Sequence, residues 1–116
     1  MEIPEIGRAI RFETQTRKRK VVYEESPNVA LLDFDGLDFP LTLRSFRPGD
    51  RLQPLGMEGE KKVKDLFIDC KIPALQRKRI PLLFGGDRLL WVAGVRIDHR
   101  ARLKPQTQRI LRAELF

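Results

Sequence analysis

The sequence predicts an α+β domain built mostly from antiparallel strands, with one or two short helices. Three observations support this fold class: several short runs in which apolar and polar residues alternate, one apolar stripe at helical spacing, and an apolar hairpin around two glycines. With 116 residues, the chain is most simply one domain. A chain of this length can bury roughly two thirds of its unfolded surface, so it needs neither disulfides nor a metal to fold.

The first part of the chain has the alternation that is typical of strands. Ile10 and Phe12 lie on one side of a predicted strand, and an aliphatic run follows at residues 29–34. Residues 39–44 alternate again. Pro40 near the start of this run indicates an edge strand or an entry point rather than a central position, because proline cannot donate a ladder hydrogen bond.

The middle of the chain contains the predicted helices. An amphipathic helix is indicated by four apolar residues at the spacing i, i+3, i+4 and i+7, namely Val63, Leu66, Phe67 and Cys70. The stripe predicts that Cys70 is a reduced cysteine in the core. Pro73 ends this helix, because the residue before a proline avoids the helical conformation. The same proline can begin a second short, basic helix that Pro81 closes.

The last part of the chain predicts a hairpin and further strands. Residues 82–84 and 89–92 flank a glycine turn at 85–86, and both arms are almost continuously apolar. We therefore expect this hairpin to be central and covered on both faces. Residues 95–97 continue the pattern, and the alternation at 110–115 predicts a final strand.

Composition excludes several classes of function. No apolar run approaches the ~20 residues of a membrane span, and the start of the chain lacks the features of a secretory signal. With one cysteine and one histidine, the chain can form neither an internal disulfide nor a zinc site of the usual kinds. It contains no nucleotide-binding glycine loop and no nucleophile motif, and we expect no catalytic residue, cofactor or metal within it. A reducing, cytoplasmic setting fits this composition best.

The formal net charge of +7 favours a polyanionic partner, because each neutralised phosphate releases condensed counterions. The alternative is a solvated basic surface that binds nothing specific. Most aromatic residues fall on apolar patterns and are expected in the core. Recognition of a helical RNA backbone by shape is therefore favoured over stacking on single-stranded bases. His99 lies among charged residues and is expected at the surface or facing RNA rather than as a general base.

The order of several motifs closely resembles one known family. The run is RPGDR, PLGM, KKVKDLFID, KIP, RKRIPLL and WVAGVRID, within residues 41–104. It is similar to the C-terminal domain of bacterial tRNA(Ile)-lysidine synthetase, which is described as related to a domain of the phenylalanyl-tRNA synthetase β chain. The resemblance implies a sandwich-like arrangement. It divides the chain into lead-in strands at 1–40 and a single compact tRNA-binding domain at 41–116.

The resemblance also implies a function for the whole enzyme. Family members are ATP-dependent ligases that attach lysine to the wobble cytidine of the isoleucine tRNA with a CAU anticodon, which changes decoding from AUG to AUA. Their chemistry lies in an N-terminal ATP-pyrophosphatase domain with an SGGxDS loop, which this sequence lacks. The chain is then expected to be the tRNA-docking part, with the acceptor stem as its contact. ATP and lysine would bind outside it, and its partners would be the tRNA and its own catalytic domain.

Motif position in the resemblance gives ten candidate tRNA-binding residues: Arg47, Arg51, Lys61, Lys62, Lys64, Arg77, Arg79, Arg96, Arg100 and Arg102. We expect the three lysines on the polar side of the first helix. Asp50, Asp65 and Asp98 are expected to orient these basic residues, or else simply to form turns. A second hypothesis makes the domain a non-catalytic scaffold that contacts the rest of its own enzyme or forms a homodimer. Its basic face would then be incidental.

Overall fold

Two four-stranded antiparallel sheets, a two-stranded ribbon and two short helices make up the fold. The computed structural model describes residues 1–116, except for the side chain of residue 5. The helices are α1 (Val63–Asp69) and α2 (Ala74–Arg77). The strands are β1 (Glu2–Ile3), β2 (Arg8–Thr16), β3 (Val29–Asp33), β4 (Leu41–Ser45), β5 (Arg51–Leu52), β6 (Lys61–Lys62), β7 (Pro81–Gly85), β8 (Arg88–Val92), β9 (Arg96–Ile97) and β10 (Arg109–Leu115).

The first sheet joins both ends of the chain. Its strand order is β1-β2-β10-β3, so the last strand lies between two of the first. Strand β10 pairs with β2 from Arg109 opposite Thr16 to Leu115 opposite Ile10. It pairs with β3 along its other edge. The boundary expected after residue 40 falls between β3 and β4, and β10 crosses back over it.

The second sheet has the order β4-β7-β8-β9 and is apolar on both faces. One face packs on the first sheet in a core that contains Ile10, Leu32, Leu83, Leu90, Trp91, Leu111 and Leu115. The other face packs on α1 and the β5–β6 ribbon in a core of Leu52, Val63, Leu66, Phe67, Leu82, Leu89 and Val92. The molecule therefore has three layers: sheet, sheet and helices.

A bulge in the central hairpin allows the second sheet to contribute residues to both cores. In β7 and β8, Leu83 pairs with Trp91, but Phe84 pairs with Leu89, which leaves Leu90 as an extra residue in a bulge. Both Leu90 and Trp91 consequently lie in the core between the sheets. The predicted central hairpin is confirmed, and so is the prediction that β4, which follows Pro40, is an edge strand.

The predicted fold class is confirmed, but the first helix is shorter than the apolar spacing indicated. Lys61 and Lys62 pair with β5 as a strand, and the helix begins only at Val63, whose N–H donates to the carbonyl of Asp50 at 2.9 Å. The placement of these two lysines on a helix face was therefore wrong. Only Lys64 lies on α1.

The prediction that Cys70 lies in the core was also wrong, because this residue is exposed. Helix α1 ends at Asp69, so the helical period does not reach the last position of the stripe. Lys71 then adopts φ of 56°, and Ile72 donates its N–H to the carbonyl of Phe67 at 2.9 Å, which closes the helix in a Schellman motif. Ile72 packs on the second core instead of Cys70.

Candidate nucleic-acid interface

A surface groove of about 580 Å³ is lined by residues of the second sheet, by Arg51 of β5 and by Glu60, the residue before β6. Four separate parts of the chain each contribute an arginine to it: Arg44, Arg51, Arg88 and Arg100. We call these residues the groove arginines. Four acidic side chains line the same groove: Asp38, Asp50, Glu60 and Asp87. The lining is thus balanced in charge, and its acidic groups decide how much of each arginine is free to bind an anion.

Asp50 holds the first groove arginine in place. Arg44 donates two hydrogen bonds to the Asp50 carboxylate, at 2.9 and 2.7 Å, and its guanidinium lies 4.3 Å from the centre of the Phe84 ring. The backbone N–H of Arg47 also donates to this carboxylate, at 2.7 Å. Burial raises the pKa of Asp50, but the hydrogen bonds from Arg44 and Arg47 outweigh this effect and hold it below the ordinary value. Arg44 is consequently fixed before any ligand arrives.

Asp98 plays the same part for Arg100. Its completely buried carboxylate accepts bonds from Nε and Nη2 of Arg100 at 3.0 and 2.9 Å. It also accepts the backbone N–H groups of Gln53 and Arg100, both at 2.8 Å. Burial raises the pKa of Asp98, yet these four hydrogen bonds lower it more. The bond with Asp98 in turn raises the pKa of Arg100, so this guanidinium stays charged.

A short strand pair brings two further cations together. Arg51 in β5 stands directly opposite Lys62 in β6, and residues in that relation project from the same face of an antiparallel pair. Both are exposed. Glu60, the residue before β6, lies within ion-pair distance of Arg51 and of Arg100.

The structure brings some of the ten predicted residues together and separates others. Arg51 and Arg100 line the groove, and Arg47 lies in the turn that Asp50 closes. Lys62, Lys64 and Arg79 are exposed. Three others are engaged within the chain: Lys61 pairs with Asp69, Arg77 donates to the carbonyl of Ile72, and Arg102 donates to the carbonyl of His99.

One predicted residue, Arg96, lines a different depression, together with Tyr23, Leu55 and Ile97. Of the three predicted aspartates, Asp98 contacts a predicted residue, Arg100. Asp50 instead orients Arg44, which was not predicted, and accepts only the backbone N–H of Arg47. Asp65 has no hydrogen bond or ion pair within the described part of the chain. His99 is half-buried, and its Nδ1 accepts the backbone N–H of Gly56 at 3.0 Å.

Sequence reasoning missed Arg44, Arg88 and Glu60. The alternation of residues 39–44 would have placed Arg44 on the polar face of its strand, but nothing in the pattern showed that Phe84 and Asp50 lie beside it. Arg88 is the first residue of β8, directly after the hairpin turn, where a charged residue is ordinarily a solvated one. Among the described residues, no group of three or more His, Cys, Asp or Glu side chains could hold a metal ion.

Residues 41–113 match the sequence model of the TilS_C family, described as the TilS substrate C-terminal domain. This match covers more than half of the chain. The chain belongs to the TilS C-terminal domain family.

Curated relatives of this TilS C-terminal domain are much longer proteins. The tRNA(Ile)-lysidine synthase of Geobacter sulfurreducens is 54% identical over 80 residues, which are 69% of this chain and 17% of the relative. The enzyme of the same name from Parabacteroides distasonis is 46% identical over 88 residues, 76% of this chain and 20% of the relative. The chain thus spans about a fifth of the length of the relatives that it matches.

Two solved structures share the fold of this TilS C-terminal domain. The crystal structure of a TilS C-terminal domain superposes with a TM-score of 0.79 at 28% identity, over 95% of this chain and 84% of the other. An N-terminal fragment of the phenylalanyl-tRNA synthetase β subunit from Pyrococcus horikoshii gives a TM-score of 0.64 at 16% identity, over 75% of this chain and 27% of the other. The second likeness concerns the fold alone. No helix among the described residues is both long and apolar enough to cross a membrane.

Proposed function

We propose that this chain is the tRNA-docking C-terminal part of a tRNA(Ile)-lysidine synthase, and that it binds the backbone of the acceptor stem. Membership of the TilS C-terminal domain family and the names of the curated relatives support this assignment. The net charge of +7 supports a polyanionic ligand. Phosphate contacts of this kind orient a protein on a duplex without reading its sequence.

The observation that carries the proposal is the fixed position of two groove arginines. Arg44 and Arg100 each donate two hydrogen bonds to a buried or half-buried aspartate that backbone N–H groups hold in turn. A guanidinium that is already oriented loses less conformational entropy when it binds a phosphate. Two exposed cations lie next to groove residues, so a phosphate backbone that passes along the groove can meet them: Arg47, whose N–H donates to Asp50, and Lys62, which pairs with Arg51.

For the whole enzyme, we propose the ATP-dependent attachment of lysine to the wobble cytidine of the CAU-anticodon isoleucine tRNA. The printed name of the relatives supports this activity. ATP and lysine would bind in an N-terminal catalytic domain outside this chain. The role of this chain would be to hold the tRNA body so that the anticodon reaches that domain. We place the enzyme in the cytoplasm, where its tRNA is found.

A salt titration tests the docking role. We expect this chain to bind the CAU isoleucine tRNA and an acceptor-stem minihelix with similar affinity. The slope of log K against log salt should be about −2 to −5, because a few phosphates are neutralised. Arg51→Ala combined with Arg88→Ala should weaken binding about tenfold and make the slope shallower by about 2, since two phosphate contacts are lost. Fluorescence anisotropy over a range of salt concentrations measures both quantities.

Lys18→Ala combined with Lys20→Ala is the matched control. It removes the same charge from exposed residues that lie outside the groove. Its salt slope should stay close to that of the parent chain. Equal loss in the two double variants would show that only overall charge matters, and absence of binding at low salt would remove the docking role.

An exposed apolar pair favours a second candidate function, a scaffold that contacts the rest of the enzyme or a second copy of this chain. Leu75 on α2 is 93% exposed, and Ile68 on α1 is 51% exposed. Single exposed apolar residues are common, but these two lie on consecutive helices. An interface between domains would cover them.

Leu75→Lys separates this candidate from docking. The change should leave the stability of this chain within about 0.5 kcal/mol, because the side chain makes little contact in it. If α2 contacts another domain, the same change should lower the thermal midpoint of the full-length enzyme. Val22→Lys is the control, since Val22 is 76% exposed and lies outside both helices. Equal melting of both full-length variants would exclude an interface at Leu75.

A further inference from the structure

Glu60 lies between two cations of the groove. Its Oε1 is 3.6 Å from Nε of Arg51, and its Oε2 is 3.5 Å from Nη2 of Arg100. Each carboxylate oxygen therefore faces a different guanidinium. The side chain of Glu60 is 47% exposed and can leave this position without opening the core.

Both ion-pair distances exceed the length of a good N–H···O hydrogen bond, which is about 2.9 Å. Glu60 thus neutralises charge without satisfying the guanidinium donors. Arg51 makes no hydrogen bond to another group within the described part of the chain, so its donors are available. Arg100 is oriented by Asp98, which does not depend on Glu60.

The neighbouring strand pair would be unfavourable without an anion. Arg51 and Lys62 stand directly opposite each other, and like charges in this relation destabilise a strand pair. The ion pair between Glu60 and Arg51 offsets part of this repulsion. The position that Glu60 occupies is therefore one where the surrounding side chains favour a negative group.

From this geometry we infer that Glu60 occupies the position of an RNA backbone phosphate and must leave when RNA binds. This inference rests on the proposed docking function. A phosphate group has two unesterified oxygens and can accept hydrogen bonds from both arginines at once. Competition by Glu60 weakens binding to any RNA duplex by a constant factor. Because this factor is the same for every RNA, Glu60 sets how tightly the groove holds a phosphate backbone and not which RNA it prefers.

Glu60→Gln tests the inference, with a 12-base-pair RNA duplex of arbitrary sequence as the probe. We expect the variant to bind the duplex about threefold to tenfold more tightly, as two exposed ion pairs no longer compete. The salt slope should become steeper by about 1, because the variant has no displaced carboxylate that takes up a counterion when RNA binds. Fluorescence anisotropy at several salt concentrations gives both values.

Glu58→Gln is the matched control. It removes the same charge two residues earlier, from an exposed side chain that has no ion pair within the described part of the chain. Equal effects of the two variants would overturn the inference and leave only a change of net charge. Weaker binding by Glu60→Gln would also overturn it, since Glu60 would then be a positioning residue for the arginines.

A second measurement keeps the inference separate from the docking function. If neither the parent chain nor Glu60→Gln binds the duplex, docking by this chain fails, and inorganic phosphate becomes the probe. NMR of the Arg51 Nε–H group should then show a phosphate-dependent shift in Glu60→Gln at several-fold lower concentration than in the parent chain. The same measurement can be made when the chain does bind the duplex, and absence of the difference overturns the inference in either case.

Discussion

Asp98→Asn should lower the free energy of unfolding of this chain by about 3 kcal/mol, because buried donors lose their acceptor. The native carboxylate is completely buried and accepts four hydrogen bonds, two of them from backbone N–H groups. An amide has one acceptor oxygen, so its NH₂ group must face donors from Arg100 or Gln53. Chemical denaturation followed by circular dichroism measures the change. Thermal unfolding should shift by roughly 10 °C.

The pH dependence provides a second readout of the same carboxylate. The pKa of Asp98 is lower in the folded chain than its ordinary value, which is about 3.9 in an unfolded chain. Its contribution to stability is therefore complete above the unfolded-state pKa and is lost as the pH falls through the folded-state pKa. The difference in stability between the parent chain and Asp98→Asn should be constant from about pH 5 to 7 and should shrink below about pH 4.

Asp65→Asn is the control for both measurements. Asp65 is exposed on α1 and has no partner among the described residues, so its replacement should change stability by less than about 0.5 kcal/mol. Asp98→Asn should also weaken RNA binding, because Arg100 loses the group that orients it. If Asp98→Asn unfolds like the parent chain, the buried carboxylate contributes no net stability.

Residues 41–116 alone should not fold cooperatively. This fragment keeps β10 but lacks β2 and β3, which pair with it along both edges. It also lacks Ile10 and Leu32, which are 1% and 0% exposed in the core between the sheets. The apolar faces of β10 and β8 would then be open to water, at a cost of about 25 cal/mol for each Å². Segments 1–40 and 41–116 should accordingly unfold as one unit.

The only tryptophan reports directly on this core. Trp91 is 2% exposed in the intact chain, so its fluorescence should be shifted to the red in the 41–116 fragment. The control is a fragment of residues 8–116, which keeps β2 and β3 and should melt cooperatively. A sharp thermal transition of the 41–116 fragment with a protected Trp91 would show that the lead-in strands are a separate element.

The local patterns of the sequence determined most of the strands and the family. Alternation located β2, β4 and β10, because a strand with one buried face needs an apolar side chain at every second position, and an aliphatic run located β3. The apolar hairpin predicted a central β7–β8 pair, since only a strand covered on both faces lacks this alternation. The run of motifs from RPGDR to WVAGVRID pointed to the TilS C-terminal domain, which the family match confirms.

Tertiary contacts decided what the local patterns could not. The helical spacing extended to Cys70, but pairing of Lys61 and Lys62 with β5 and the Schellman closure at Lys71 confined α1 to seven residues. Sequence order also could not show that β10 lies between β2 and β3, because antiparallel pairing over such distances leaves no periodic trace.

Sequence order likewise could not show which side chains meet in the candidate interface. The sequence by itself determined that this chain is strongly basic and named Arg51 and Arg100 among ten candidates. Only the tertiary structure joined them to Arg44 and Arg88 in one groove and set Glu60 between two of them. Charged side chains can be solvated at almost any surface position, so their spacing in the sequence does not show which residues lie beside them in space. Those neighbours are fixed by the packing of the second sheet against α1. Burial of apolar residues there supplies the free energy of folding, and the positions of the arginines result from it.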